Sequence, residues 1–458
     1  MPHRSLSLVG SFLLLAACGA RSNLDDALSA NVGGTTSTGG MTATGGAYQT
    51  GGAKSSGGGP STGGIKSTGG GPSTGGSRAA TGGSLGTGGS KAVTGGSAGT
   101  GGSNTGGGAN TGGSTATGGS SVTERSVSAI AVGYYNCAVI NGTMQCWGQN
   151  DYGQLGDNAT SESLVPVQVL GLTSGVTAVT TGVYHTCALV NGAAQCWGYN
   201  HDGQLGNGSM SDSLVPVLVQ GFTTDLEAIS AGGYHSCALA NGGMQCWGYN
   251  HEGQLGNNST IDSPIPVQVQ GLTSGVTAIA TGDVHSCALV NGGVQCWGWY
   301  CELGNNSTID SHSPVQVHGL TSGVTAIAAG FGHSCAVVSG SASCWGDNIS
   351  GELGNNSTVV RRVPVQVQGL TSGVTSISAG YSHTCALVNG SAYCWGDNSS
   401  GELGNNSVLD SHIPAQVQGL TSDVTAISAG TYQTCALVHG RALCWGGNSP
   451  VPVEVQFR

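Results

Sequence analysis

Fourteen of the sixteen cysteines in this chain fall into seven pairs whose members lie nine positions apart. In "CALVNGAAQCWG" (187–198), the two cysteines flank Asn-Gly, and Trp-Gly follows the second cysteine. Cysteines at a regular spacing can bind a metal, form a redox couple or close a disulfide. The pairs are Cys137/Cys146, Cys187/Cys196, Cys237/Cys246, Cys287/Cys296, Cys335/Cys344, Cys385/Cys394 and Cys435/Cys444.

The pattern around the pairs favours disulfides over the other two chemistries. A metal site would need His185 as a third ligand beside Cys187 and Cys196. The repeats that contain "YYNC" (134–137) and "YQTC" (432–435) lack this histidine but keep both cysteines. A redox couple more often has C-x-x-C spacing. Asn-Gly between apolar strands predicts a two-residue hairpin, which places the cysteines opposite each other with Cα atoms about 4.5 Å apart.

The elements that position these cysteines repeat seven times. The tryptophans of the "CWG" motifs are 50 residues apart, with one spacing of 48, a period typical of solenoids and propellers. Each repeat contains four short strand patterns, such as 165–169, 176–182, 185–190 and 193–198, without helical periodicity. The sequence therefore predicts an all-β, seven-bladed β-propeller over residues 122–458, with an open β-solenoid as the alternative.

The connections between these patterns predict the strand order within a blade. The short connections make "VPVQV" (165–169) and its counterparts the first strands, so the long polar stretch 199–214 crosses between blades. The first repeat then lacks this strand, and the C-terminal "PVPVEVQFR" contains a spare copy. We expect Val451 to Val455 to complete the first blade and close the ring.

The first 121 residues have a different composition from the repeats. Residues 1–17 combine Arg4 with a short apolar run, which is the layout of a secretory signal. "LAAC" resembles the lipobox of bacterial lipoprotein signals, which implies a lipid on Cys18. Residues 18–121 are rich in Gly, Ser and Thr and predict a disordered tether with a reach of roughly 50–60 Å. Disulfides require an oxidising compartment, so we expect an exported protein anchored to the bacterial outer membrane or cell surface.

The stretch "TGVYHTCALVNGAAQCWGYNHDGQLGNGS" (181–209) resembles the repeat of the regulator of chromosome condensation family. The AG-x-x-H, W-G-x-N and G-x-L-G motifs, the repeat count and the period agree over residues 122–458. The resemblance implies a seven-bladed propeller in which the motif histidines and tryptophans build the blades and have no catalytic role. These histidines are His185, His235, His285, His333 and His383.

The charge of the predicted propeller argues against nucleic acid as a partner. Residues 122–458 contain five arginines, no lysine and 20 acidic residues, a formal charge of −15. Nucleic acid binding requires the opposite sign. The founder of the resembled family catalyses nucleotide exchange on a nuclear GTPase, and an exported acidic chain fits that role poorly.

Departures from the repeat mark candidate partner-binding residues. "CWGWYCELG" is two residues shorter than its counterparts and adds Trp299, Tyr300 and an unpaired Cys301. In the next repeat Arg361 and Arg362 replace small polar residues. Aromatic and arginine side chains are typical of binding hot spots.

The sequence predicts no catalytic, cofactor-binding or metal site, because no catalytic triad, carboxylate pair or phosphate-binding loop stands out from the repeats. It predicts a monomeric, non-enzymatic recognition module for a protein or glycan, held at the membrane only by its lipid anchor. An envelope enzyme with a site in the propeller channel and a passive structural component are the alternatives. An enzyme would carry polar residues unique to single blades at the channel, whereas a recognition module would carry unique aromatic or charged residues on one face.

Overall fold

The structure is a computed structural model that describes residues 125–222, 225–447 and 449–458. In these ranges 28 strands form seven four-stranded antiparallel sheets. The sheets are the blades of a seven-bladed β-propeller, which confirms the predicted fold. The predicted signal 1–17 and tether 18–121 lie outside the described residues.

Each blade contains four strands in chain order. The first strands line the ring axis and are β1 Val127–Val132, β5 Val176–Thr181, β9 Ala228–Ala231, β13 Val276–Thr281, β17 Val324–Ala329, β21 Val374–Ala379 and β25 Val424–Ala429. The second strands are β2 Tyr135–Ile140, β6 His185–Val190, β10 His235–Ala240, β14 His285–Val290, β18 His333–Val338, β22 His383–Val388 and β26 Gln433–Val438. The third strands are β3 Thr143–Gly148, β7 Ala193–Gly198, β11 Gly243–Gly248, β15 Gly293–Gly298, β19 Ser341–Gly346, β23 Ser391–Gly396 and β27 Arg441–Gly446. The outermost strands are β4 Ser163–Gln168, β8 Ser213–Leu218, β12 Ser263–Gln268, β16 Ser311–Gln316, β20 Arg361–Gln366, β24 Ser411–Gln416 and β28 Ser449–Glu454.

The hairpin between the second and third strands has the predicted geometry. Asn191 and Gly192 both have positive φ, 51° and 80°, as a two-residue turn of this type requires. Cys187 therefore lies directly opposite Cys196.

The cysteines face each other in the same way in every blade, and all seven predicted pairs lie at disulfide-bonding distance. Their Cα atoms are 4.0–4.1 Å apart, slightly closer than the spacing of about 4.5 Å expected for facing strand residues. The disulfides are Cys137–Cys146, Cys187–Cys196, Cys237–Cys246, Cys287–Cys296, Cys335–Cys344, Cys385–Cys394 and Cys435–Cys444. Each disulfide thus joins the second and third strands of one blade, and none joins two blades.

The predicted strand order within a blade is wrong. The long polar stretch connects the third and fourth strands of one blade, so β4 belongs to the first blade and β28 to the seventh. Val451 to Val455 therefore do not complete the first blade. The two-residue link between β27 and β28 needs no crossing, because both strands belong to the same sheet.

A buried asparagine explains why the long loop returns to its own blade. The Asn200 Nδ2 donates to the carbonyls of Ser209 and Ser211, each at 2.9 Å. Its Oδ1 accepts a hydrogen bond from the Leu205 backbone N–H at 2.9 Å. One side chain thus ties the start of the loop to its end, and the chain re-enters the sheet from which it left.

The short connection after each outermost strand makes the crossing between blades. The Leu172 carbonyl accepts a hydrogen bond from the Met144 N–H at 3.1 Å, and the Val176 N–H donates to the Gly142 carbonyl at 3.1 Å. The connection therefore stays hydrogen-bonded to the blade that it leaves. Val176 then begins the innermost strand of the next blade.

Tryptophans join neighbouring blades, as the resemblance implied. The indole of Trp197 is fully buried and packs in an apolar cluster with Tyr135, Leu155 and Val169 of the preceding blade. Its Nε1 donates to the Gln154 carbonyl at 2.9 Å. The same bond measures 2.7–2.8 Å from Trp247, Trp297, Trp345, Trp395 and Trp445.

The junction between blades seven and one uses the C-terminal tail, because blade seven lacks the long loop. Phe457 packs edge-on against Trp147 with ring centroids 5.8 Å apart. The Gln145 amide donates to the Arg458 carbonyl at 2.7 Å, and Asn136 donates to Gln433 at 2.8 Å. The tail thus closes the ring by side-chain packing on the first blade.

We expect Phe457→Ala to destabilise the ring at this junction. Loss of a half-buried phenyl group should lower the free energy of unfolding by about 1–3 kcal/mol. Hydrogen exchange should accelerate in β1 and β25, which meet at the junction. Phe222→Ala is the matched control, because Phe222 packs edge-on against Trp247 at 5.9 Å away from the junction. Equal exchange in β1 for both variants would contradict this closure.

Candidate functional site

Two sets of loops share one face of the propeller. In an antiparallel blade, the connection between strands one and two and the connection between strands three and four lie at the same edge. We call this side the loop face. The opposite side, the turn face, carries the Asn-Gly hairpin turns and the crossings between blades.

Aromatic side chains from five blades meet on the loop face. Ring centroids lie 6.0 Å apart for Tyr134 and Tyr432, 5.1 Å for Tyr152 and Tyr184, and 6.2 Å for Tyr234 and Tyr249. Further contacts of 5.1–6.3 Å connect these pairs into one continuous set, which Trp299 joins at the blade-four end. This aromatic layer comprises Tyr134, Tyr152, Tyr184, Tyr199, Tyr234, Tyr249, Trp299 and Tyr432.

Some rings of the aromatic layer are buried, and others are accessible to solvent. Tyr199, Tyr234 and Tyr249 are 5–6% exposed. Tyr134, Tyr152, Tyr184 and Trp299 are half-buried, and Tyr432 is 50% exposed. Packed rings that remain partly accessible have little side-chain entropy left to lose on binding, which suits a recognition surface.

Carboxylates surround the layer in blades one to three. Burial and the nearby Asp202 raise the pKa of Tyr199, and burial and Glu252 raise that of Tyr249. Burial, with a smaller contribution from Asp151, also raises the pKa of Tyr152. The phenols therefore stay neutral hydrogen-bond donors beside acidic side chains.

Two histidines lie on the layer and face carboxylates. His201 lies 4.6 Å from the Tyr199 ring centroid, and its Nε2 is 3.6 Å from Asp212. His251 repeats the arrangement in the next blade, 4.6 Å from Tyr249 and 3.7 Å from Asp262.

In the long loops of blades five and six, acidic side chains replace aromatic ones. Asp347 and Asp397 occupy the repeat positions of Tyr199 and Tyr249. In addition, Glu302, Glu352 and Glu402 replace the glutamines of blades one to three. The long loops of blades two to four thus carry an aromatic residue where those of blades five and six carry an aspartate. On the short connections of blades five and six, Phe331 and Tyr381 form a separate ring contact with centroids 4.0 Å apart.

The buried glutamates keep the hydrogen bond that the glutamines make. Glu352 accepts from the Ser350 N–H at 3.0 Å, as Gln204 accepts from the Asp202 N–H at 3.0 Å. Burial raises the pKa of Glu352 to about 8, and Asp347 adds to the effect. Burial also raises the pKa of Glu402 to about 7.

The channel along the ring axis is lined by small side chains. A cavity of about 240 Å³ is bounded by first-strand residues such as Ala328 and Ser378. Its hydroxyls bond between blades: Ser230 and Thr281 oxygens lie 2.7 Å apart. Among the described residues that line the channel and its mouth, Asp283 is the one carboxylate, and there is no histidine or cysteine.

The motif histidines bond across the blade junctions. His235 Nε2 lies 2.8 Å from Ser286 Oγ, whose own hydrogen goes to the Gln254 carbonyl at 2.9 Å. The histidine must therefore donate from Nε2, and burial lowers its pKa to about 3. A buried neutral ring with this bond has a structural role. The same 2.8 Å bond joins His185 to Ser236, His285 to Ser334, His333 to Thr384 and His383 to Thr434.

The structure places the predicted partner-binding residues at the junction of blades four and five. Trp299 caps the 3-10 turn Tyr300–Leu303, which contacts β20, the strand that begins with Arg361 and Arg362. Arg361 is exposed and Arg362 is half-buried. The arginines thus lie on an outermost strand, and Arg362 accepts the Asn306 N–H at 2.9 Å through its carbonyl.

Arg362 faces the shortened loop of blade four. In other blades, a loop glycine packs against the second residue of the next outermost strand, as Gly203 does against Pro264. The blade-four loop lacks the counterpart of Gly203. The larger Arg362 occupies the position that faces this shortened loop.

Cys301 is fully buried in the 3-10 turn Tyr300–Leu303, so its sulfur is not exposed on the loop face. The predicted lipidation site Cys18 lies outside the described residues.

Sequence reasoning did not identify four tyrosines of the aromatic layer that lie on the connections between the first and second strands. Tyr134, Tyr184, Tyr234 and Tyr432 each occupy the residue before the AG-x-x-H histidine position. An aromatic residue at one motif position in four of seven repeats is the signal that could have identified them. Their contact depends on a ring that brings the first and last repeats together.

In the part of the chain that the structure describes, no three His, Cys, Asp or Glu side chains are grouped closely enough to hold a metal ion. None of the helical segments described is both long and apolar enough to span a bilayer.

Comparison with known proteins identifies the repeats. The family model described as regulator of chromosome condensation (RCC1) repeat matches residues 141–189, 191–239, 241–289, 339–387 and 389–437, which together exceed half of the chain. A second model of the same description matches 227–254 and 374–402. No curated protein sequence matches the chain.

Solved structures share the fold. Human WBSCR16 is 26% identical over 69% of this chain and 88% of its own, with a TM-score of 0.61. Yeast RCC1 (Prp20), solved with Kap60, is 20% identical over 76% of this chain and 91% of its own, with a TM-score of 0.61. Prp20p from Saccharomyces cerevisiae gives 20% identity over 73% and 88%, with a TM-score of 0.60.

We expect Glu352→Gln to stabilise the propeller increasingly as the pH rises. The pKa of Glu352 is about 8 when folded, against an ordinary value of 4.5, so the unfolded chain loses this proton first. Wild-type stability therefore falls between pH 4.5 and 8, by at most about 1.4 kcal/mol per pH unit. The neutral amide does not titrate.

Thermal unfolding at pH 5 and pH 8 checks this expectation. The difference in melting temperature between variant and wild type should be larger at pH 8. Exposed Glu162 provides the control variant Glu162→Gln, which should show no such trend. A melting difference that is the same at both pH values would count against a buried, protonated Glu352.

Proposed function

Because this chain belongs to the regulator of chromosome condensation (RCC1) repeat family and carries a disulfide in every blade, we propose that it is an exported, non-enzymatic recognition module. It binds a protein or glycan partner through the loop face. Residues 18–121 tether the propeller to a lipid on Cys18 at the outer membrane or cell surface.

The aromatic layer is the observation that supports this proposal. Residues that build the blades, such as Trp197 and Asn200, recur around the ring, whereas the rings of the layer come from five of the seven blades and from differing loop positions. Trp299, Tyr300, Arg361 and Arg362 extend the set of residues unique to single blades. An aromatic surface that is unique to some blades is what a recognition module requires, and a passive component would leave the blades alike.

The channel gives little support to the enzyme alternative. The hydroxyls of Thr180, Ser230, Thr281 and Ser378 that line it are engaged in bonds between blades. Asp283 is the one carboxylate among the described lining residues. A general acid or base must lie within hydrogen-bonding reach of the proton that it transfers, and Asp283 is the carboxylate available for that role in this lining. The charge of −15 over residues 122–458 also disfavours nucleic acid as a partner.

Photo-crosslinking in the producing cells tests whether the loop face binds a partner. A photoreactive phenylalanine in place of Tyr432 keeps the ring at the accessible edge of the layer. The matched position is Leu164, which is 86% exposed on the outermost strand β4. We expect a discrete adduct from position 432 and none from 164. Trp299→Ser should reduce the adduct about tenfold, as for a hot-spot residue. Equal adducts from both positions, or none from either, would refute the proposal.

Mass spectrometry of the N-terminal peptide tests the anchor. We expect cleavage before Cys18 and a diacylglyceryl group on its sulfur, because "LAAC" resembles a lipobox. Cys18→Ser should release the protein from the membrane fraction while the propeller stays folded. A disulfide between Cys18 and Cys301 in the native protein would contradict lipidation, because both modifications use the same sulfur atom.

A further inference from the structure

The loop face combines two features that together select a class of partner. Tyrosine rings present π surfaces, and carboxylates lie beside them. Either feature alone fits many ligands. Together they favour a cation, because a guanidinium or ammonium group can lie over a ring while its charge faces a carboxylate.

The charge balance around the layer strengthens this preference. Residues 125–458 contain no lysine, and the five arginines lie outside the loops that carry the layer. Arg441 pairs with Glu454 at 3.3 Å beside the turn face, and Arg125 donates to the Phe457 carbonyl at the ring junction. The carboxylates around the tyrosines therefore have no arginine or lysine of their own loops to neutralise them.

Two histidines of this protein show how a nitrogen-containing group can lie against a tyrosine of the layer and face a carboxylate. His201 lies over Tyr199 at 4.6 Å with its Nε2 3.6 Å from Asp212, and His251 repeats this over Tyr249. In blade one the residue at the histidine position is Asp151, adjacent in sequence to Tyr152. Blade one thus has a carboxylate where the other two blades place a histidine, and a tyrosine where they place Asp202 and Glu252.

The layer is partly open where blades one and two meet. Tyr152 and Tyr184 are half-buried with ring centroids 5.1 Å apart. Asp151 is exposed, and the electrostatic influence of Asp151 and Asp212 reaches Tyr152. The Asp212 side chain is 30% exposed. A side chain that approaches these two rings therefore meets acidic groups of blades one and two.

We propose that the loop face binds a basic segment of a partner protein, with arginine side chains lying on Tyr152 and Tyr184 between Asp151 and Asp212. This inference rests on the proposed recognition function and specifies its partner. Arginine fits better than lysine because its planar guanidinium stacks on a ring and bonds a carboxylate at the same time. A neutral glycan would use the rings but gain nothing from the surrounding charge.

Calorimetric titration of the full chain with defined probes tests the inference. The probes are a ten-residue Gly-Arg repeat peptide, the matching Gly-Lys and Gly-Gln peptides, and a neutral hexasaccharide. We expect the arginine peptide to bind several-fold more tightly than the lysine peptide, with no binding of the other two. Affinity should fall as the salt concentration rises, because exposed charges are screened.

Two variants separate stacking from general attraction to an acidic protein. Asp151→Asn removes one carboxylate beside the rings, and Asp225→Asn removes one from the turn face, so their net charges are equal. We expect about fivefold weaker binding for the first and less than about twofold for the second. Tyr184→Leu keeps an apolar side chain and the net charge, and should weaken binding by about fivefold through loss of the cation–π contact.

The outcomes distinguish this inference from the proposed function. Equal effects of Asp151→Asn and Asp225→Asn, or equal affinity for arginine and lysine peptides, would overturn it. Binding of the hexasaccharide alone, lost in Tyr184→Leu, would also overturn it but leave loop-face recognition intact. If no probe binds and position 432 yields no crosslinked adduct, both the inference and the recognition function fail. Unchanged melting temperatures establish that the variants are folded.

Discussion

Each typical blade junction depends on a single backbone carbonyl in the long loop of the preceding blade. The Gln204 carbonyl accepts both Trp247 Nε1 at 2.8 Å and Ser236 Oγ at 3.0 Å. All of these groups are buried, and a buried donor without a partner costs about 1–3 kcal/mol. A blade can therefore dock in only one register. The serine hydrogen is used by the carbonyl, so His185 must donate to Ser236 at 2.8 Å, and its buried ring remains neutral.

The same arrangement frees the outer side chains of the long loop for recognition. The buried carbonyl and the asparagine that ties the loop ends together hold the main chain, so residues such as Tyr199 and Asp347 can differ without loss of the junction. A rigid scaffold with variable loop residues is a common basis for binding. At the position of Tyr199 in the long loop, blades two to four carry an aromatic residue and blades five and six carry an aspartate. Burial against this framework also raises the pKa of Glu352 to about 8.

The candidate site could be predicted only in part. The sequence predicted Trp299 as a binding residue because it departs from the repeat pattern. The structure places it at one end of the aromatic layer. Tyr134 and Tyr432 are 298 positions apart in the sequence, and their rings meet at 6.0 Å only because the ring closes. Arg362 lies on the outermost strand β20, where it faces the shortened loop of the preceding blade. Contacts between repeats cannot be read from the spacing within one repeat.

The sequence by itself determined the features that depend on short chain separations. Asn191-Gly192 sets the hairpin register, so Cys187 must face Cys196, and the seven copies of the repeat set the number of blades. The tertiary structure decided which strand completes each blade, because a buried asparagine returns the long loop to its own sheet. It also decided how the ring closes, through Phe457 on Trp147. Local backbone geometry is specified by neighbouring residues, whereas packing across the ring depends on which surfaces meet after the blades have formed.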